Sequence, residues 1–377
     1  NVSIDGGTVK LDGNYPTGDN NVALGDSALD SGSLSGANNV AIGFSALTSN
    51  TSGASNTVVG RSAMSTNTTG ACNVAIGQNA LLQNTTGACN TAVGRFSLDN
   101  NTTANGNTAV GYESLGANTT GTRNVAVGKN AMLSSTTASD SVMLGTTAGD
   151  AITTGTSNTG VGADVMSSTT TGDFNVAMGN SALGANTTAD NNTAIGFFSM
   201  LLNTTGTGNA AVGRDSLRCN TTGNNNSALG KDALKLNTTA SSNTAVGNST
   251  LTTNTTGASN TAVGAGAMFA NTTAANNTAV GVDALAANTT GADNTAMGTE
   301  SLKDHTTGGN NTAYGAYSAT NTTTGQGNVA LGRAALETNT TGNFNSAVGQ
   351  SVLLANTTGS CNTTVGYSAM EYNTTGV

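Results

Sequence analysis

The sequence repeats itself every 17 residues, and no other feature constrains the fold as tightly. An "N-x-A-x-G" element opens at Asn21, Asn39, Asn56, Asn73, Asn90, Asn107 and Asn124, and again from Asn158 to Asn362. Ser141 takes the Asn place once. The first step is 18 residues and all later steps are 17, which gives 21 copies. With columns numbered 1 to 17 from that Asn, column 5 is Gly in all copies, from Gly25 to Gly366. Column 4 is always apolar, and column 9 is Leu or Met except at Gly149 and Ala319. Column 13 is Thr in all copies after the first. Disordered Asn-, Thr- and Gly-rich sequence has no need to hold an apolar residue at one phase, so the strict phase argues for a packed repeat.

A unit of 17 residues is too short for a pair of helices, which takes about 33 to 47. Charged residues are 8%, aromatics 3%, Trp is absent, and there is one Pro. Such a chain draws stability from backbone pairing and small-residue packing. The β-branched Thr and Val between Gly and Asn read as strands and turns. The fold class expected is all-β, a parallel β-solenoid (β-roll) of about 21 coils of 17 residues. Residues 1–20 form a lead-in or capping segment, and 21–377 the repeat shaft. At the usual strand spacing the coils would build a rod roughly 100 Å long. Residue 1 is Asn and the sequence stops inside a repeat at Val377, so a longer or processed protein is expected.

The columns predict each coil's plan. Columns 1 to 4 form a strand, as in Asn90 to Val93, and Gly94 turns a corner. Columns 6 and 7 vary and face solvent. Columns 8 and 9 form a second strand, and "NTT" in columns 12 to 14 a third strand or a turn. Stacked Asn and Gly form structural ladders, as at Asn56, Asn73, Asn90, Asn107, Gly60, Gly77, Gly94 and Gly111. Columns 3 and 4 are both apolar, as are 8 and 9, and strand neighbours point to opposite faces. One member of each pair must therefore run outward as a stripe. A parallel homotrimer, which covers such stripes, is the favoured reading; a thin single solenoid with exposed Ala is the alternative. The weak copies around Ser141 to Gly160 predict a distorted coil, bulging near Gly149 to Gly155.

The arrays "NTAVGxxALxxNTTGxx" resemble repeats of bacteriophage tail-fibre proteins. The cores "NVAIG" (Asn39 to Gly43) and "NTAVG" (Asn90 to Gly94) are similar to head repeats of trimeric autotransporter adhesins. The opening Gly6 to Gly25 resembles the lead-in of marine phage fibre proteins. The resemblance implies a three-chain β-roll fibre on a virion or cell surface, self-associated along its axis. A cell-surface receptor would be met through parts outside this segment.

Little chemistry is written in the residues. The only His, His305, falls in column 12 and reads as a ladder substitution. No His or Cys stands near it to suggest a metal site or a nucleophile pair, so no enzyme activity and no cofactor are expected. Net charge of -9 without a basic run argues against nucleic acid. No apolar run is long enough to span a membrane. "NTT" is an N-glycosylation sequon, at Asn67, Asn84, Asn101, Asn118, Asn186, Asn203, Asn220, Asn237, Asn254, Asn271, Asn288, Asn339, Asn356 and Asn373. Cys72 and Cys89 share a column in adjacent coils, within Cα range of a disulfide; free thiols are the other reading. The leading function is a structural shaft supporting an adhesive tip. The alternatives are an adhesin head, an ice- or glycan-binding solenoid using a Thr or Asn ladder, and a glycan-coated fibril.

Overall fold

A Thr, Val or small residue at column 2 and an apolar one at column 4, with mostly Ala between them, suit a short strand whose middle side chain packs inward. The computed structural model describes residues 20–376, and each coil there holds one three-residue strand at columns 2 to 4. No helix occurs among the described residues. The lead-in 1–20, apart from its last residue, and the end at Val377 lie outside them. The chain divides into two compact units, Asn1–Thr188 and Ala189–Val377.

The first unit carries ten strands, from β1 (Val22–Leu24) and β2 (Val40–Ile42) to β10 (Val176–Met178). Each pairs in parallel with the next, column on column, as Ala75 with Ala92 and Ala92 with Ala109. The extra residue of the first copy leaves this register intact, since Val22 pairs with Val40 and Ala23 with Ala41. The second unit carries eleven strands, from β11 (Thr193–Ile195) to β21 (Thr363–Val365), in the same register. There Thr261, Ala262 and Val263 pair with Thr278, Ala279 and Val280. In both units column 3 is buried, apart from half-buried Ala23 in the first coil, and columns 2 and 4 face out. The alternation expected of a strand therefore holds here.

It fails at columns 8 and 9, where a turn replaces the expected second strand. Column 7 and column 9 both adopt left-handed backbone, as at Phe96 (φ 59°), Leu98 (φ 49°), Glu113 (φ 53°) and Leu115 (φ 50°). Side chains alternate faces only on extended backbone. In this turn Ser97 and Leu98 are both buried, as are Ala80 and Leu81. The outward stripe expected from columns 8 and 9 is therefore absent, and column 4 alone provides one. A left-handed L-residue costs about 1–2 kcal/mol. Burying a Leu or Met contributes about 1.5–3 kcal/mol in return. Column 9 never carries a β-branched residue, which that backbone tolerates least. Column 17 is left-handed too, as at Cys72 and Arg123, both at φ 58°. The "NTT" stretch is a bend rather than a strand.

Coil-to-coil hydrogen bonds run all round the section. The Thr91 amide donates to Asn107 O at 2.8 Å, Leu98 to Ser114 O at 3.0 Å, and Thr85 to Thr102 O at 2.8 Å. Facing the other neighbour, the Gly94 amide donates to Ile76 O at 2.8 Å and Phe96 to Gln78 O at 3.1 Å. Turns and bends thus take part in stacking as fully as strands do.

The coil from Ser141 is regular, contrary to the distortion expected. Strand β8 (Val142–Leu144) pairs in register with β7 (Val125–Val127) and β9 (Thr159–Val161). Thr147 and Gly149 keep the left-handed φ of their columns, 53° and 59°. Three substitutions compensate one another. Met143 replaces the usual Ala of column 3, Gly149 the usual Leu of column 9, and Gly160 the next Ala of column 3. A Cβ on Gly149 would lie 3.0 Å from Met143 Sδ, and one on Gly160 2.5 Å from it. The methionine fills the space that its neighbours vacate, so the packing changes while the backbone does not.

Candidate functional site

Two polar ladders line the interior. In column 1 the Asn73 amide and Nδ2 both donate to Asn56 Oδ1, at 3.0 and 3.1 Å, and Nδ2 also donates to Gly87 O at 2.9 Å. Asn90 and Asn107 repeat the backbone contact, each at 2.9 Å. In column 12 Asn84 Nδ2 donates to Asn67 Oδ1 at 2.9 Å and to Gly87 O at 3.0 Å. Both ladders meet at the column 15 carbonyl. A buried primary amide costs several kcal/mol unless satisfied. Here most amides are satisfied by the Asn of the coil before and by the column 15 carbonyl of their own coil, which is why identical Asn recur.

Burial corrects the glycosylation expectation. Asn67, Asn84, Asn101, Asn118, Asn186, Asn203, Asn220, Asn237, Asn254, Asn271, Asn288, Asn339 and Asn356 are fully buried. A glycan needs an amide nitrogen in solvent. In the folded coil these nitrogens face the interior; Asn220, for one, donates to Asn203 and Gly223. Asn373, in the last described coil, is half-buried. An Asn-ladder binding face is corrected for the same reason. The column 13 hydroxyls are engaged as well, as Thr85 Oγ1 donates to Thr102 O at 3.0 Å. The disulfide expectation is likewise not met: Cys72 and Cys89 are free, exposed thiols.

Interruptions leave orphaned acceptors. Asn118 Oδ1 meets Ser135 and Asn288 Oδ1 meets His305, and neither oxygen gains a donor. His305 is fully buried, with Nε2 against Gly308 O at 2.5 Å. Burial holds its pKa below the usual imidazole value, and backbone hydrogen bonds oppose this only partly.

The outward face is columns 2 and 4. Column 4 is aliphatic, Met or Tyr throughout, and column 2 is Thr, Val, Ala or Ser, so the face carries no charge. Ile76 is 40% exposed, Leu229 51% and Tyr314 58%. Each unit thus presents a parallel sheet surface of stacked uncharged rows, mostly Thr or Val at column 2 and aliphatic at column 4, with Thr-x-Val itself in eight of the 21 strands. This two-wide array was not foreseen, although the T-A-V spelling of the strands places Thr and Val on one face.

One local groove breaks the periodicity of the first unit. It has a volume of about 580 Å³ and lies among Phe96, Asp99, Glu113, Gly116, Leu133 and Ser134. Burial and then the neighbouring Glu113 push the Asp99 carboxyl above its usual range. Beside the groove, Arg95 stacks on Phe96 at 4.5 Å, and Phe96 meets Tyr112 edge-on at 6.4 Å. No cluster of three metal-ligating side chains exists among the described residues. No family model matches the chain, and neither does any curated protein.

Proposed function

We propose that the chain is the shaft of a virion tail fibre or a similar extracellular appendage, supporting an adhesive tip. Copies lie parallel, three to a shaft, joined through columns 2 and 4. The observation that carries this reading is the uncharged, Thr-, Val- and aliphatic-rich surface of columns 2 and 4 that recurs on coil after coil. A continuous apolar stripe of this kind on a soluble chain marks an interface. Its period makes it self-complementary, because any copy in register meets the same row. The buried ladders add a mechanical reason: coils bonded around their whole perimeter present few loops to proteases. Receptor contact falls to parts outside these residues. Sedimentation equilibrium of the full chain tests the reading. Three copies at micromolar concentration are expected, and a monomer at that concentration overturns it.

A second reading draws on the same face. Thr and Val rows stand about 4.8 Å apart between coils and about 6.7 Å apart between columns. Ordered water in an ice lattice repeats on a similar scale, so the surface suits ice. Thermal hysteresis in a dilute solution of the chain would favour it, and its absence discards it.

A further inference from the structure

The groove of the first unit arises from one missing side chain. Column 10 reads Leu82, Asp99, Gly116, Leu133 on successive coils. Gly116 therefore leaves a gap between a carboxylate and an aliphatic wall. Column 7 supplies the facing wall, Phe96 and Glu113. The gap is not forced by the backbone. Gly116 has no left-handed φ, and an added Cβ would meet only ordinary contacts, 3.4 Å from Glu113 O and 3.5 Å from Leu133 Cδ1.

No cation among the described residues pairs with the charges around the gap, although the Tyr112 hydroxyl hydrogen-bonds Glu113. Among the described residues no ion pair engages Asp99 or Glu113. Asp99 Oδ1 is withdrawn from solvent and accepts no hydrogen bond. Arg95, the nearest cation in sequence, is stacked over the rings of Phe96 and Tyr112 instead. A few acids are paired within the coil stack, as with Asp140 on Arg123 at 2.6 Å and Asp232 on Lys235 at 2.9 Å, whereas Asp150, also in column 10, leaves Oδ1 without a donor as Asp99 does. The groove volume of about 580 Å³ lies within the range of small-molecule sites.

We propose that this groove binds a small organic cation, a primary alkylammonium. Its charged head sits between Asp99 and Glu113, and its alkyl chain lies along Leu133 and Phe96. The head pairs with the two carboxylates where they line the groove and offsets the repulsion between them. The apolar wall selects an alkyl group over a bare hydrated ion. The site is independent of the shaft reading, since it lies in columns 7, 10 and 11 and leaves columns 2 and 4 untouched.

Ligand-observed NMR of the full chain with butylammonium chloride tests this, with 1-butanol as the uncharged control. Saturable butylammonium binding is expected, with none for butanol. Gly116→Leu fills the groove with a residue that column 10 already carries at Leu82 and Leu133. It should abolish binding while the circular-dichroism spectrum stays unchanged. Asp99→Asn keeps the shape, removes one charge, and should weaken binding at least tenfold. No saturable binding to the unmodified chain overturns the proposal. Equal binding by the unmodified chain and both variants, or by butanol, overturns it as well.

Discussion

A glycine at column 5 answers two separate demands. Gly77 has φ 134°, a conformation nearly closed to L side chains. Its position also faces the next coil so closely that a Cβ would lie 2.6 Å from Gly94 O. Gly77→Ala should therefore destabilise its coil and those beside it by about 2 kcal/mol or more. Amide exchange of Gly77 and Gly94 is the measurement, because a stack of coils opens locally rather than all at once. Protection equal to the parent chain would contradict the account. The one histidine makes a pH-dependent counterpart. His305 interrupts the column 12 ladder and leaves Asn288 Oδ1 without a donor. Its folded pKa is depressed by burial, so the unfolded chain binds the proton more readily. The stability contribution is full above the unfolded value near 6.5, and it is lost as pH falls below that. The loss is at most about 1.4 kcal/mol per pH unit. His305→Asn should restore the ladder, raise the melting temperature at pH 7, and flatten the acid dependence between pH 7 and 5. An unchanged acid slope in the variant would place the sensitivity elsewhere.

The element in this protein is the coil, and its tolerance is collective. Met143, Gly149 and Gly160 each depart from their columns, yet strands β7 to β9 stay in register. Met143→Ala alone should leave a cavity and cost about 2–5 kcal/mol. Gly149→Leu alone should overpack against Met143 and Ile152, at a cost of about 1–3 kcal/mol. The double variant restores the usual Ala and Leu, so its cost should fall well below the sum. Chemical denaturation of all four forms gives the coupling, and simple additivity would refute the compensation. The same coil shows what sequence could convey. Strand, corner and ladder were legible because Ala, Gly and Asn recur at fixed columns. The distortion expected near Ser141 was wrong because compensation among three columns is invisible to a column-by-column reading. The turn at columns 7 to 9 was missed because a buried Leu in left-handed backbone, such as Leu98, is rare. A signal existed, though, in the Asn, Asp and Ser that crowd column 7, residues that tolerate such backbone. The sequons misled because Asn looks solvent-seeking until a neighbouring Asn is stacked upon it. The groove escaped because column 10 varies, and Gly116, in a column that carries Gly again at Gly184, carries no signal alone.

At the scale of the molecule, the placement of charge separates inner, outer and lateral roles. Columns 2 and 4 carry no charged residue in any copy, whereas six of the 11 Lys and Arg fall in column 6, among them Arg61, Arg95 and Lys129. Column 6 side chains are mostly exposed and flank the Thr-x-Val face. Association through that face should therefore depend on apolar burial and respond little to salt, because screening acts on exposed charges. Replacing column 4 tests this directly. Val93→Lys, Val110→Lys and Val127→Lys together place three like charges on consecutive rows of one unit's outward face. Each substituted side chain already points outward, and Lys can extend into solvent, so a lone coil should tolerate the change. The coil fold should persist by circular dichroism, while sedimentation shifts from trimer to monomer. The proposed parent trimer should survive a rise from 0.05 to 1 M NaCl, and the triple variant should stay monomeric over that range, since short-range desolvation of Lys persists when charge is screened. A parent complex that dissolves in salt would assign association to the column 6 rim instead. A triple variant that remains trimeric would place the interface on another face of the coil.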